Sequence, residues 1–154
     1  MEQTLIILKP SAVGRGLIGE IINRFEHKGL FFSGLKMMQL SDAILDDHYA
    51  HLKEKPFFKM VKLSMQATPV IVGCLEGKDA VQVVRSMCGP TNGREAQPGT
   101  IRGDFSVSVE HNIIHTSDSK ENAEKEINRF FKSEELFNYK PANIRFYYGD
   151  NEMN

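Results

Sequence analysis

Several side chains in this sequence are of types that handle phosphate, and one of them could react with it. Asn112-Ile-Ile-His-Thr-Ser-Asp-Ser119 sets His115 between a short apolar run and a cluster of hydroxyl and carboxyl residues. With a reference pKa of about 6.5, an imidazole is mostly neutral near pH 7 and is then a competent nucleophile. Arg85, Thr91, Arg94 and Arg102 lie in or beside one long loop. Arginine's planar fork suits phosphate oxygens, and threonine adds a hydroxyl. Lys9 stands at the end of an apolar run, where a loose surface lysine is unexpected. Glu126 falls beside the apolar stripe of a helix, a place where a carboxylate wants a partner, and it could fix the imidazole ring. Two readings stand at this point. His115 is a reacting group served by these cations, or it is a buried ring hydrogen-bonded for structure while the cations are solvated in loops. Phe57, after Pro56, is equally double: a core residue, or a platform for a flat ring.

The elements that must position these groups are legible. Thr4-Leu-Ile-Ile-Leu8 is apolar on both faces, which suits a central buried strand ended by Lys9-Pro10. Ile18, Ile21, Ile22 and Phe25 mark one stripe of a helix that Gly29 closes. A strand over Leu30–Leu40, a short helix from Ser41-Asp42 and a further element from Pro56 to about Gln66 follow. Pro69–Leu75 reads as a third buried strand and Lys78–Met87 as a helix. Gly89-Pro-Thr-Asn-Gly93 and Pro98-Gly99 punctuate a loop from Cys88 to about Arg102; a loop of such length is functional or disordered. A last strand carries Ile113 and Ile114, with His115 at its tip just ahead of a helix N-terminus, where phosphate is favoured. Asp118 with Glu121 fits a capping box for the final helix, whose apolar positions are Ala123, Ile127, Phe130 and Phe131. This order predicts an α+β sandwich within the α/β class, ferredoxin-like βαββαβ with a four-stranded antiparallel sheet and extra helices.

Size and composition narrow the function. The 154 residues suit one domain, 1–154, with an irregular tail over 138–154. A formal charge of −1 offers no basic excess for a long nucleic acid, so no stable nucleic-acid complex is expected. No apolar stretch approaches the roughly 20 residues of a membrane span. The N-terminus reads as no signal peptide, and two cysteines are too few for a disulfide framework, so a cytoplasmic setting is expected.

Three motifs mislead. Gly14-Arg-Gly16-Leu-Ile-Gly19 matches a dinucleotide fingerprint, but Pro10–Val13 intervene after the strand and no acidic residue ends the next one. Arg102-Gly-Asp104 spells an adhesion tripeptide, and Arg102–Val107 resembles an RNA-recognition strand without its second aromatic. That RNA-binding module would share the fold, so a non-catalytic nucleotide- or RNA-binding module is the alternative function. The histidines form no expected metal site: His48 and His51 read as a solvated helical face.

Thr4–Pro10, Pro56–Phe58, Pro98–Phe105 and Asn112–Ser119 together resemble nucleoside diphosphate kinase, over about Gln3–Leu136. The resemblance implies transfer of a terminal phosphoryl group, mainly from ATP, onto a nucleoside diphosphate through a phosphohistidine, maintaining nucleotide pools. It implies His115 as nucleophile, assisted by Glu126 and Ser117. Lys9 would meet the transferring group and the ribose, positioned by Tyr49. Arg85, Thr91 and Arg102 would bind phosphates, Asn112 the ribose hydroxyl, and Phe57 with Val109 the base. Mg2+ would bridge the phosphates rather than sit in a protein cage. The family forms homohexamers or homotetramers. Thr116 stands where the family usually has glycine or alanine, and Gly93 where it commonly has proline.

Overall fold

Two-sided burial explains why the first strand is apolar throughout. In the computed structural model, which describes residues 1–152, β1 (Glu2–Leu8) lies inside a four-stranded sheet. Its alternate residues serve two cores. Ile6 and Leu8 pack with Ile21, Phe25 and Val84, whereas Leu5 and Ile7 pack with Leu45, Met65, Ile127 and Phe130. Side chains alternate across a strand, so one short run feeds both faces.

The chain continues through α1 (Pro10–Val13), α2 (Ile18–Lys28), β2 (Phe31–Met38), α3 (Asp42–His48) and α4 (Phe58–Met65). It then forms β3 (Val70–Gly77), α5 (Ala80–Cys88), α6 (Ile101–Phe105), β4 (Ile114–Thr116) and α7 (Lys120–Phe130). The strand order is β2-β3-β1-β4 and every pairing is antiparallel. This is the ferredoxin-like arrangement with extra helices. Helices α2 and α5 cover one face of the sheet, and α3, α4 and α7 the other. Gly29 closes α2 with φ 95°, a left-handed value that glycine adopts without cost.

Local chemistry revises three expectations. The loop after α5 gives way, near its expected end, to a short helix the sequence did not suggest, because Thr100 caps α6 by accepting from the Gly103 N–H at 3.0 Å. A Cβ on Gly103 would stand 1.9 Å from the Gln97 carbonyl oxygen, so only glycine lets this turn close. The last strand starts at Ile114, since Ile113 sits at φ 75° and cannot extend. The capping box is not formed. Ser119 caps α7 by accepting from Asn122 N, while Asp118 takes the Asn122 side chain and Glu121 pairs with Lys125. Beyond Asn138 the tail is irregular, with 3-10 turns at Ile144–Phe146 and Asp150–Glu152. It is fastened where the Tyr148 hydroxyl donates to the Gly29 carbonyl at 3.2 Å.

Candidate active site

The ends of two adjacent strands bring the reactive groups together. In the pairing of β1 with β4, His115 lies opposite Ile7, and the ladder runs one step further where Lys9 N donates to Ile113 O at 2.9 Å. Lys9 and His115 therefore open onto one cavity of about 400 Å³, shared with Tyr49, Arg85, Thr91 and Arg102. Asn112 borders it as well, its Oδ1 accepting from Lys9 Nζ at 2.7 Å and its Nδ2 donating to Thr91 O at 3.2 Å. Lys9, Arg85 and Arg102 make this a site for anions, and among its described lining residues there is no carboxylate.

His115 is oriented from behind. Its Nε2 lies 3.0 and 3.1 Å from the two carboxylate oxygens of Glu126, which the second turn of α7 delivers. A carboxylate can only accept, so Nε2 carries the proton and Nδ1 keeps its lone pair. Ser117 Oγ donates to Glu126 at 2.6 Å and itself accepts from Leu5 N at 3.2 Å. Burial pushes the Glu126 carboxyl up, but the hydrogen bond and charge of His115, with the Ser117 hydroxyl, outweigh it and hold the pKa below its ordinary value.

Arg102 does structural work at the same place. Its guanidinium donates to the carbonyls of Asn112 at 3.1 Å, Gly89 at 2.6 Å and Ile114 at 2.6 Å. Two of these carbonyls flank Ile113, a fully buried β-branched residue at positive φ. Such backbone strain persists only where the surroundings over-determine it, and Arg102 supplies that restraint. Burial lowers the pKa of the Arg102 guanidinium. Burial, reinforced by the Arg102 cation, brings the Lys9 ammonium down to about 8. Tyr49 is pushed up to about 12 by burial and by Glu126, so its hydroxyl stays protonated.

Phe57 and Val109, the expected base-binding pair, do not line this cavity; each is 49% exposed. Arg94 turns away and donates to Val107 O at 2.9 Å. The start of α7 is also displaced from expectation. Asp118 and Asn122 border a second cavity on the far side of His115 rather than the cationic one. Gly93 has a local cause: a Cβ there would meet the Ser106 carbonyl oxygen at 2.2 Å. Thr116 is buried between the two cavities, and nothing in the structure explains its replacing a smaller residue.

One residue was misread from sequence. His48 is not on a solvated face. It is buried, with its ring centroid 4.6 Å from that of His115 and edge-on to it, and it also touches Tyr49 and Phe130. Burial, with the His115 and Arg129 charges, lowers its pKa to about 3 and keeps it neutral. The signal available in the sequence was the apolar company of Leu45 and Tyr49 on the same helical end. The RNA-binding alternative loses its strand, because Arg102–Phe105 is helical.

Comparison with known proteins gives a consistent result. The family model described as nucleoside diphosphate kinase matches residues 2–136. A nucleoside diphosphate kinase of Parabacteroides distasonis is 59% identical, the alignment covering 99% of this chain and 100% of the relative. Nucleoside diphosphate kinase B of Bos taurus is 48% identical over 96% of this chain and 97% of the relative. Among solved structures, a halophilic nucleoside diphosphate kinase from Halobacterium salinarum in complex with CDP superposes with a TM-score of 0.92. It is 39% identical and covers 96% of this chain and 98% of its own.

Proposed function

This chain belongs to the nucleoside diphosphate kinase family, and we propose that it moves the terminal phosphoryl group of a nucleoside triphosphate to a nucleoside diphosphate through a phosphohistidine at His115. The observation that carries this reading is the single-sided restraint of His115. Glu126 occupies Nε2, and Nδ1 is left with a lone pair beside Lys9, Arg85 and Arg102. In the first half-reaction Nδ1 forms a bond to the terminal phosphorus as the bond to the bridging oxygen breaks, and the nucleoside diphosphate leaves with that electron pair. The Nε2–H proton stays between His115 and Glu126, where the carboxylate balances the charge the ring gains. In the second half a diphosphate oxygen attacks the same phosphorus and returns the ring to its neutral form. One site serves donor and acceptor in turn, so the kinetics are ping-pong. The cations supply what phosphoryl transfer mostly needs, positioning and charge neutralisation.

The cavity's amine and guanidinium donors do not suit a hard divalent cation, which takes oxygen ligands. Mg2+ therefore enters on the nucleotide phosphates, as part of the substrate. Lys9 contacts the transferring group and the ribose, with Tyr49 beside it; Thr91 joins the arginines on the phosphates, and Asn112 meets the ribose hydroxyl. Phe57 and Val109 hold the base by its faces, so any base is accepted, ATP being the abundant donor and nucleotide pools the beneficiary.

The chain acts as one domain in a homohexamer or homotetramer in the cytoplasm. Its edge strand β2 pairs on one side only and exposes Leu35 and Met37, a surface that association would cover. Among the described residues no helix is long and apolar enough to cross a membrane. The test is to incubate the protein with Mg2+ and γ-labelled ATP. The expected result is acid-labile label on the protein, absent in His115→Ala and released by GDP as GTP. ATP that binds without labelling the protein overturns the assignment.

A further inference from the structure

His48, His115 and Glu126 each offer one ligand atom, and these atoms lie within 4.8 Å of one another. Two imidazoles and a glutamate are a donor set that zinc takes, with water in the fourth position. His48 is hard to explain as packing alone. It is 6% exposed, and its Nε2 is buried with no hydrogen-bond partner. A buried polar atom left unpaired is costly, and with the ring proton on Nδ1 a metal ion would satisfy this one. Access exists. The second cavity, about 490 Å³ and bordered by His51, Asn122 and Lys125, reaches all three residues without passing through the nucleotide side.

We propose that His48, His115 and Glu126 bind a borderline-soft divalent cation such as Zn2+, and that its binding switches His115 off. The metal takes the Nε2 lone pair of His115 and one oxygen of Glu126 in place of their hydrogen bond. A neutral imidazole carries one proton, so with Nε2 on the metal that proton moves to Nδ1. Nδ1 then has no lone pair for phosphorus. Only metal–nitrogen and metal–oxygen bonds form, and nothing is oxidised or reduced. The loss of activity rests on the reading of His115 as nucleophile; the binding of the ion does not.

Arg129 works against the ion. Its Nη1 stands 3.3 Å from His48 Nδ1 and donates there, which holds the His48 proton on Nε2. A metal on Nε2 needs that proton on Nδ1, so Arg129 must turn wholly to Asp47, with which it is already paired. The thiols do not compete. Burial raises Cys74 to about 11 and Cys88 to about 12, leaving both protonated.

The test titrates chelator-stripped, nucleotide-free protein with Zn2+ by calorimetry and follows the histidine 15N resonances. One equivalent is expected, with the Nε2 resonances of His48 and His115 both moving. His48→Gln should weaken zinc at least about tenfold, since even outer-shell partners are worth that much. Arg129→Met should tighten it, and His51→Gln, on the same cavity, should leave it unchanged. A His48 Nε2 that does not move in the wild-type protein overturns the site, and that reading needs no variant to fold. Labelling of His115 by γ-labelled ATP that persists with the ion bound overturns the inhibitory half. Labelling absent even without zinc overturns the nucleophile assignment and leaves the ion site standing.

Discussion

Lys9 Nζ and Asn112 Oδ1 lie 2.7 Å apart across 103 residues of sequence, tying the end of β1 to the turn that leads into β4. This bond gives a buried ammonium one partner while leaving it the other two N–H groups for a ligand. Burial, with the Arg102 cation, is what brings Lys9 to about 8.

That lowered value predicts the alkaline behaviour. Between about 8 and 10.5 the unfolded chain keeps a proton that the folded chain has released. The Lys9 contribution to stability therefore rises with pH across this window, while the cation proposed to meet phosphate is lost. The profile of kcat/KM should bend down near pH 8, and Lys9→Arg should carry the bend upward. An identical bend in both proteins would place it on another group.

His115→Ala should reduce phosphoryl transfer by roughly three or more orders of magnitude, as removal of a covalent nucleophile does. Nucleotide affinity should hold, because the cations remain. Turnover near that of the wild type in a coupled assay would end the phosphohistidine reading.

For Glu126 the sign is the opposite of that for Lys9. Its folded pKa lies below the ordinary 4.5, so its contribution to stability is complete above that value and is lost as pH falls through the folded one. Glu126→Gln should be less stable than the wild type near neutrality, and the gap should close in acid as pH falls through the lowered folded value. Urea midpoints of both proteins across this range decide it; a constant gap refutes it.

Phe57→Ala should weaken adenine, guanine, cytosine and uracil nucleotides to a similar extent, by about 1 kcal/mol or more each. Binding measured by calorimetry on the four diphosphates is the check. Selective loss for one base would mean edge recognition rather than stacking.

Arg102→Lys keeps the charge but cannot hold three carbonyls in one plane. It should cost roughly 1–3 kcal/mol of stability through the freed carbonyls around Ile113, together with weaker nucleotide binding. A melting temperature equal to that of the wild type would show that the Ile113 turn holds itself.

The legible parts of this fold were those where one residue type decides alone. Four apolar residues in a row at Leu5–Leu8, led by the β-branched Thr4, admit a two-faced strand, and Gly29 after a stripe of isoleucines admits a helix end. What stayed hidden depended on distant partners. Pro98 and Gly99 look like a continuing loop, yet Thr100 starts a helix there because Gly103 can approach Gln97. His48 looks solvated until α7 arrives against α3 and buries it with Phe130. Of the site, His115, Glu126 and the cations could be nominated by their own chemistry. Ser117 and Asn112 could not, because their importance lies in hydrogen bonds to Glu126 and Lys9 made across the fold.

An imidazole can carry phosphorus on either nitrogen, and the two phosphoramidates are distinct positional isomers. Glu126, eleven residues downstream, occupies Nε2 with both of its oxygens and so behaves as a built-in protecting group. With His115 as the proposed phosphate carrier, regiochemistry is set by the carboxylate that holds Nε2, and a single isomer is the expected product.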